Sequence, residues 1–167
     1  MDSDFERRFR QLEDRALIGE CVVAYAVAVD LRDWEMLTRC FTDPVYAEFP
    51  VSGTAKTFLR AELVALIRKA ISGFTQTQHL SPNHTIEFDD DDPDRAVCHS
   101  YMYAQHQLEG SVGGDFFLLR GSYSNHLRRS TGGWRIERLI QRVSWSEGNQ
   151  DALSEAKHRL ETYKPET

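Results

Sequence analysis

The sequence predicts an α+β fold in which helices cover one face of a curved sheet. Apolar residues recur at helical spacing through most of the first 74 residues, whereas the later segments alternate with turns in the manner of long antiparallel strands. This order, helices first and strands afterwards, is typical of an α+β arrangement. The chain has 167 residues without internal repeats or a linker, so we expect one domain.

Four helices are predicted, over residues 5–29, 34–41, 57–74 and 150–163. The first carries a long amphipathic stripe, and the second follows Asp33, which is a good N-cap residue. Strands are predicted over residues 45–49, 76–88, 96–108, 116–129 and 134–145. The acidic run at residues 89–92 lacks the pattern of an EF-hand calcium loop, so a solvated hairpin turn is the better interpretation.

Composition and charge exclude several classes of function. Apolar residues make up 41% of the chain and the formal net charge is −6, so a globular protein without nucleic-acid binding is expected. The cysteines at positions 21, 40 and 98 are widely spaced and form no CxxC pattern, which favours a reducing compartment. The first residues lack an apolar targeting segment, and no apolar run could span a bilayer. A cytoplasmic protein that does not engage membranes is therefore expected.

Asp30 is the most informative single residue. It continues an i, i+4 series with Ile18, Val22 and Ala26, which places a carboxylate on the buried stripe of the first helix. Burial and the negative end of the helix dipole should both raise its pKa, as suits a general base or a carboxylate that orients an imidazole. Alternatively, Asp30 only caps the turn that follows or pairs with an arginine.

Two histidines are candidates for the same site. His79 lies in a predicted strand, where a histidine is more often structural, but a buried aspartate beside it would create an Asp-His base. His106 shares its strand face with the small or apolar residues Cys98, Met102 and Ala104. We favour this face as the lining of a cavity, with an exposed histidine near the strand end as the alternative.

Motifs for nucleotide phosphates, catalytic zinc or a nucleophilic serine are missing from the sequence. Neither a cofactor nor a metal is therefore expected. Asp30, His79 and His106 could in principle form an iron triad, but no ligand spacing demands one.

The chain resembles the SnoaL-like family of the nuclear-transport-factor-2-like superfamily. The resemblance covers nearly the whole chain and rests on the order of several short segments: Tyr25-Ala-Val-Ala-Val-Asp30, Asp33-Trp34-Glu-Met-Leu37, Gln78-His79, Gly121-Ser-Tyr123-Ser-Asn125, Gly133-Trp134-Arg-Ile136 and Trp145. It implies a cone-shaped barrel, made of a strongly curved, mostly antiparallel mixed sheet wrapped on the N-terminal helices.

The same resemblance implies roles for individual residues. In scytalone dehydratase, bile-acid 7α-dehydratase and hexachlorocyclohexane dehydrochlorinase, an aspartate and a histidine match Asp30 and His79, and all three enzymes eliminate a small leaving group. By resemblance, Asp30 would orient and His79 would take a proton, with Tyr25 or His106 donating to the substrate oxygen. The implied substrate-binding residues are Arg142, Tyr123, Arg129 and Trp34, and only one of the two arginines need lie in the pocket.

We therefore expect a cofactor-independent lyase or isomerase acting on a hydrophobic, cyclic or polycyclic small molecule. The alternatives are the non-catalytic β subunit of a ring-hydroxylating dioxygenase and a protein that only binds a small ligand. A homodimer or homotrimer is expected, because an open curved sheet with apolar residues on both faces usually needs to be covered.

Overall fold

The computed structural model describes residues 3–162, which fold as helices packed into a curled sheet. The helices are α1 Ser3–Leu31, α2 Trp34–Arg39, α3 Arg60–Ile71 and α4 Ala152–Thr162. The strands are β1 Phe41–Phe49, β2 Thr54–Phe58, β3 Gln76–Leu80, β4 Thr85–Phe88, β5 Arg95–Gln107, β6 Phe116–Ser130 and β7 Gly133–Gly148, with a 3₁₀ turn at Pro50–Ser52. The predicted α+β class is thus confirmed.

The strands of the described chain form one mixed sheet, in which the order is β2-β1-β7-β6-β5-β3 and β4 also pairs with β5. The pairing of β1 with β7 is parallel, and the other pairs are antiparallel. The sheet is curled but not closed, since β2 and β3 each have one unpaired edge. Its concave face receives α1 and α3, which gives the conical shape that the family resemblance implied.

Irregularities in the longest hairpin allow the sheet to curl. The register between β6 and β7 shifts at Arg120/Gly121 and again at His126/Leu127. Such bulges bend a strand and increase its twist. A Cβ atom on Gly121 would lie 1.9 Å from the carbonyl oxygen of Arg142, so only glycine fits at this close approach.

The predicted helices are confirmed with shifted ends. Asp33 caps α2 as expected, accepting a hydrogen bond of 2.8 Å from the backbone N–H of Met36. That helix ends at Arg39, however, and Phe41 is the first residue of β1 rather than the end of a helix. The predicted end of the last helix, Tyr163, lies outside the described residues.

Two predictions around α3 and β3 were wrong in detail. Residues 54–58 form a strand that the sequence analysis missed, and α3 begins only at Arg60. Residues 76–88 form two strands instead of one, because Pro82 has no backbone N–H to donate and Asn83 adopts a left-handed φ of 62°. The break leaves β3 as a short edge strand beside the end of α1.

The core lies between the helices and the concave face of the sheet. Its fully buried side chains include Ile18, Leu37, Phe41, Leu63, Leu127 and Leu139. The cysteines are all free thiols, and Cys40 and Cys98 are buried. Within residues 3–162, no helix combines the length and the apolar character needed to cross a lipid bilayer.

Candidate active site

Asp30 and His79 form a hydrogen-bonded pair where the end of α1 lies beside β3. Asp30 Oδ1 is 2.7 Å from His79 Nδ1, and Asp30 Oδ2 accepts a hydrogen bond of 2.7 Å from the backbone N–H of His79. Because a carboxylate can only accept, Nδ1 of His79 carries the proton. The other ring nitrogen, Nε2, is therefore the basic atom of the neutral side chain.

Two further residues hold the Asp30 carboxylate. Thr77 Oγ1 donates a hydrogen bond of 2.9 Å to Asp30 Oδ1. The Arg32 guanidinium donates in turn to Thr77 Oγ1 at 2.8 Å and to the carbonyl oxygen of Val29 at 2.9 Å. Arg32 occupies the left-handed region with a φ of 60°, a conformation that a non-glycine residue adopts only at some cost. These contacts fix the carboxylate relative to the imidazole.

The expected rise of the Asp30 pKa was wrong. Burial is the largest single influence and would raise the pKa of Asp30, but hydrogen bonds from the ring and backbone of His79 and from Thr77 together outweigh it. The pKa of Asp30 is therefore lowered, and the carboxylate stays ionised at neutral pH. An ionised Asp30 suits the role of orienting His79 better than that of accepting a proton itself.

A cavity of about 140 Å³ opens on the other side of His79. Its wall is mainly apolar, formed by residues such as Val29, Ile67, Ala104 and Leu119. It reaches solvent near Ser52 and Ala70, which are exposed. His79 belongs to the cavity wall, whereas Asp30 does not and instead borders a polar groove on the far side of the imidazole. Only the histidine of the pair can therefore touch a molecule in the cavity.

His106 also lines this cavity, as its strand parity predicted. Its ring lies 5.4 Å from the His79 ring and 4.8 Å from the Phe74 ring, measured between centroids. Burial first, and then the neighbouring His79, lowers the pKa of His106 to about 4, so the side chain is neutral. His106 Nδ1 lies 3.3 Å from the carbonyl oxygen of Phe117 and must carry the single proton. Nε2 is then an acceptor.

Two tyrosines belong to the same wall. Tyr25 and Tyr123 meet edge to face with 6.0 Å between their ring centroids, and both line the cavity. Burial, reinforced by the neighbouring Tyr123, raises the pKa of Tyr25 well above its ordinary value. Burial likewise raises the pKa of Tyr123 to about 12. Both hydroxyls therefore remain protonated and can donate hydrogen bonds.

Neither predicted arginine lines the cavity. Arg142 is exposed, because Gln141 points inward and successive side chains of a strand face opposite sides of the sheet. Arg129 donates to both carboxylate oxygens of the buried Asp14, at 2.7 and 2.6 Å, and also bonds Asp94. Arg129 is thus part of an ion-pair cluster, and its expected place in the pocket was wrong.

Trp34 is likewise absent from the cavity wall. Its half-buried indole packs against the core in α2, and the Arg68 guanidinium lies 5.9 Å from the ring centroid. Five of the eight candidate residues are therefore brought together at the cavity or directly behind it: Asp30, His79, His106, Tyr25 and Tyr123. Trp34 and the two arginines lie outside, so the expected place of Trp34 among the substrate-binding residues was wrong.

Sequence analysis missed three residues of the site, namely Arg32, Thr77 and Gln141. Gln141 lines the cavity and is directly opposite Tyr123 in the pairing of β6 with β7. Gln141 lies two positions after the buried Leu139, and residues two apart in a strand face the same side of the sheet. This spacing could have predicted that its side chain points inward. Thr77 shares a strand face with His79, but the part played by Arg32 depends on a backbone turn that no spacing indicates.

Within residues 3–162, no three side chains of His, Cys, Asp or Glu are arranged to hold a metal ion. In the pair described above, His79 Nδ1 is directly bonded to Asp30. The polar groups that line the cavity are the histidines, the two tyrosines, Gln141 and Ser52, and each of them can donate or accept hydrogen bonds.

A curled sheet over a long first helix, with an Asp-His pair at the wall of an apolar cavity, defines a protein of the nuclear-transport-factor-2-like class. The SnoaL-like domain family matches residues 10–140, and the chain belongs to that family. The comparison with curated protein sequences gave no match.

Solved structures agree with this assignment. The Kfla4162 protein of Kribbella flavida is 30% identical, with a TM-score of 0.79 over 86% of this chain and 99% of that one. A scytalone dehydratase candidate from Novosphingobium aromaticivorans is 19% identical, with a TM-score of 0.73 over 83% of this chain and 89% of its own. The type 3 hexachlorocyclohexane dehydrochlorinase of Novosphingobium barchaimii is 21% identical, with a TM-score of 0.71 over 87% and 94% of the two chains. The latter two likenesses establish the fold.

Proposed function

We propose that this protein is a cofactor-independent lyase or isomerase that removes a proton from a hydrophobic cyclic substrate. The observation that carries the proposal is the 2.7 Å contact between His79 Nδ1 and Asp30 Oδ1, combined with the position of His79 in the cavity wall. The aspartate fixes the tautomer, so Nε2 is left as a base in an apolar surrounding. The dehydratase and dehydrochlorinase among the structural relatives fit the same class of reaction.

In the elimination, His79 Nε2 takes a proton from a carbon next to a carbonyl group. The electron pair of that C–H bond forms a carbon–carbon double bond while the carbonyl oxygen becomes negatively charged. When the carbonyl group re-forms, these electrons form a double bond to the next ring carbon. The bond between that carbon and its hydroxyl group breaks, and the hydroxyl leaves with the bonding electrons. The imidazolium returns its proton to that hydroxyl, so the products are an unsaturated carbonyl compound and water, and the base is regenerated. An isomerase would instead return the proton to another carbon.

Asp30 stabilises the imidazolium that forms during the reaction, because its lowered pKa keeps it negatively charged. Tyr25 was the expected donor to the oxygen that gains charge, and its hydroxyl shares that part of the wall with the hydroxyl of Tyr123. His106 was the other expected donor, but its one proton is directed at the carbonyl oxygen of Phe117. In this proposal His106 accepts a hydrogen bond from the substrate or shapes the cavity.

The experiment compares the wild-type protein with Asp30→Asn. An amide can donate to His79 Nδ1, which would shift the ring proton to Nε2 and remove the base. We expect the elimination of water from 3-hydroxycyclohexanone, followed by the absorbance of the enone, to slow by roughly 10² to 10⁴-fold. Deuterium uptake by cyclohexanone in D₂O reports proton abstraction alone. Its rate should fall in Asp30→Asn together with the rate of elimination.

Asp90→Asn is the matched control, because Asp90 is an exposed carboxylate in the turn between β4 and β5. It should leave both rates at the wild-type value. Equal rates in Asp30→Asn and wild type would contradict the proposal, as would wild-type rates no higher than those of buffer. In the latter case the cavity would serve binding alone, or the protein would be the scaffold subunit of a larger enzyme.

Self-association as a homodimer or homotrimer forms part of the proposal. It is supported by large side chains left exposed on the convex face of the sheet, including Tyr101 at 63% and Trp145 at 53% exposure. Aromatic residues of this kind are enriched in protein interfaces. Light scattering coupled to size exclusion should give a mass of two or three chains, and a monomeric mass would refute this part.

A further inference from the structure

The polar groups of the cavity indicate which substrates it can accept. Apart from the histidines and Ser52 at the mouth, they are the hydroxyls of Tyr25 and Tyr123 and the carboxamide of Gln141. None of the described side chains that form the cavity wall is an arginine, lysine, aspartate or glutamate. A carboxylate or phosphate placed there would be buried without a partner of opposite charge, which is strongly unfavourable. The cavity therefore selects neutral molecules.

The size of the cavity limits the substrate to one ring. Its volume is about 140 Å³. An apolar cavity of about 150 Å³ is known to accept benzene, whereas pockets for drug-sized ligands measure roughly 300 to 1,000 Å³. A fused-ring compound would have to displace side chains of the wall or project through the mouth. The polycyclic substrates considered from the sequence thus fit less well than a single ring.

Tyr123 and Gln141 form one polar unit in this wall. They face each other directly across the β6–β7 pairing, and their side chains are 4% and 8% exposed. Gln141 Nε2 lies 3.2 Å from Met102 Sδ. A thioether sulfur is a weak acceptor, so the buried amide is still able to donate to an oxygen atom. Tyr25 packs edge to face against Tyr123 and limits its movement.

We infer that Tyr123 and Gln141 bind the carbonyl oxygen of a neutral, single-ring substrate, and so place its adjacent C–H group at His79. The inference rests on the proposed function for the role of His79, but the oxygen site itself is a statement about binding. As the proton leaves the ring carbon, the carbonyl oxygen gains charge, and hydrogen bonds from Tyr123 and Gln141 strengthen at that moment. Both residues thus touch the substrate rather than act through another group.

Binding of four probes tests the inference without any turnover. The probes are cyclohex-2-enone, its hydrocarbon counterpart cyclohexene, the charged one-ring benzoate and the two-ring 1-tetralone, with affinities taken from ligand-observed NMR. Wild-type protein should bind cyclohex-2-enone more tightly than each of the others. Tyr123→Phe should lower the affinity for cyclohex-2-enone by roughly 3- to 10-fold, which is the effect of one lost hydrogen bond. The affinity for cyclohexene should stay unchanged.

Tyr103→Phe is the matched control, because that hydroxyl bonds Gln105 and does not line the cavity. Gln141→Met is a second variant in case Tyr123→Phe fails to fold. It should lower the affinity for cyclohex-2-enone but not the affinity for cyclohexene. Equal affinities for the enone and the hydrocarbon in wild type would overturn the oxygen site. Tighter binding of 1-tetralone or benzoate would overturn the substrate class. If the binding pattern holds while Asp30→Asn changes no rate, the proposed reaction fails and the oxygen site stands.

Discussion

The guanidinium of Arg32 donates a hydrogen bond of 2.8 Å to Thr77 Oγ1, which joins the end of α1 to the edge strand β3. This bond occupies a lone pair of the hydroxyl, so the hydroxyl proton is directed at Asp30 Oδ1, 2.9 Å away. Arg32 also approaches the carbonyl oxygens of Val29 and Ile71 near the ends of α1 and α3. It thus places positive charge at two negative helix ends that would otherwise disfavour a carboxylate.

Arg32→Met should lower the turnover of 3-hydroxycyclohexanone by roughly 10- to 100-fold, since a hydrogen bond from a charged group contributes roughly 1.5 to 3 kcal/mol. Arg32 is a positioning residue, so KM should change little. Arg32→Lys keeps the charge and should recover part of the rate. The measurement that separates positioning from a structural effect is the ¹⁵N chemical shift of the His79 ring nitrogens, which reports the fraction of the Nδ1-protonated tautomer.

Arg39→Met serves as the control, because Arg39 is exposed and its carboxylate partner is Glu35. It should change neither the rate nor the ring shifts. If Arg32→Met lowers the melting temperature while both the His79 shifts and the rate per folded molecule stay at wild-type values, Arg32 has a structural role only.

The buried His106 should make the protein less stable as the pH falls. Its pKa is lowered from 6.5 to about 4, chiefly by burial, so the unfolded state binds a proton in this window that the folded state does not. Stability therefore decreases as the pH falls from about 6.5 to 4, and the loss should reach about 3 kcal/mol. Urea unfolding at several pH values between 4 and 7.5 measures it.

His106→Phe should remove most of this slope, leaving the smaller contribution of His126, whose pKa is also lowered by burial. His99→Gln is the matched control, since His99 is exposed on the convex face, and should retain the wild-type slope. A wild-type slope in His106→Phe would show that other groups cause the pH dependence.

Breaking the Asp14–Arg129 ion pair by mutation should lower the stability of the fold without lowering the activity. Asp14 is 3% exposed and bonds Arg129 twice and the Trp134 indole once, at 3.0 Å. Removing one member of a buried pair costs roughly 3 to 5 kcal/mol, and the partly exposed Arg129 reduces this to about 2 to 3 kcal/mol for Asp14→Asn. Urea unfolding gives this free energy, with Asp4→Asn as a control on the same helix.

Arg129→Ala should likewise destabilise the fold and leave the elimination rate per folded molecule unchanged, because Arg129 does not line the cavity. Arg128→Ala, at the exposed neighbouring position, should alter neither quantity. If fully folded Arg129→Ala had a raised KM, the arginine would after all belong to the substrate site.

The sequence was sufficient to predict the meeting of Asp30 and His79, but not the state of the pair. Helical spacing placed Asp30 on the buried stripe, and the family resemblance supplied its partner. The direction of the Asp30 pKa was wrong because spacing shows burial and leaves out hydrogen bonds from residues 47 and 49 positions away. Those bonds exist only once β3 lies beside the end of α1.

The wrong placements have similar causes. Arg142 was assigned to the pocket by resemblance alone, whereas the alternation along β7 from the buried Leu139 turns Arg142 outward. Gln141 is the inward neighbour. Pro82 marked the break between β3 and β4 in the sequence, but residues 76–88 were predicted as one strand. Local pattern thus predicts elements well, whereas register requires the assembled sheet.

A substitution at Gly73 should show how the last helix, α4, affects the size of the cavity. A Cβ atom at this position would lie 1.8 Å from the backbone carbonyl oxygen of Ala156, so α4 can pack against the end of α3 only if residue 73 is glycine. The same helix supplies Leu153 to the cavity wall. Gly73→Ala should therefore force α4 outward and widen the cavity. Hydrogen exchange of residues 152–162 should become faster, and 1-tetralone should bind more tightly relative to cyclohex-2-enone.

Gly132→Ala is the matched control, because the nearest atom to its added Cβ is the movable end of the Arg135 side chain. It should leave exchange in α4 and the relative affinity of the two ketones unchanged. If Gly73→Ala accelerates exchange without changing that ratio, α4 covers the cavity without setting its size, and the one-ring limit must come from the walls formed by α1, α3 and the sheet. Because the two measurements are independent, they separate the attachment of the helix from the shape of the site.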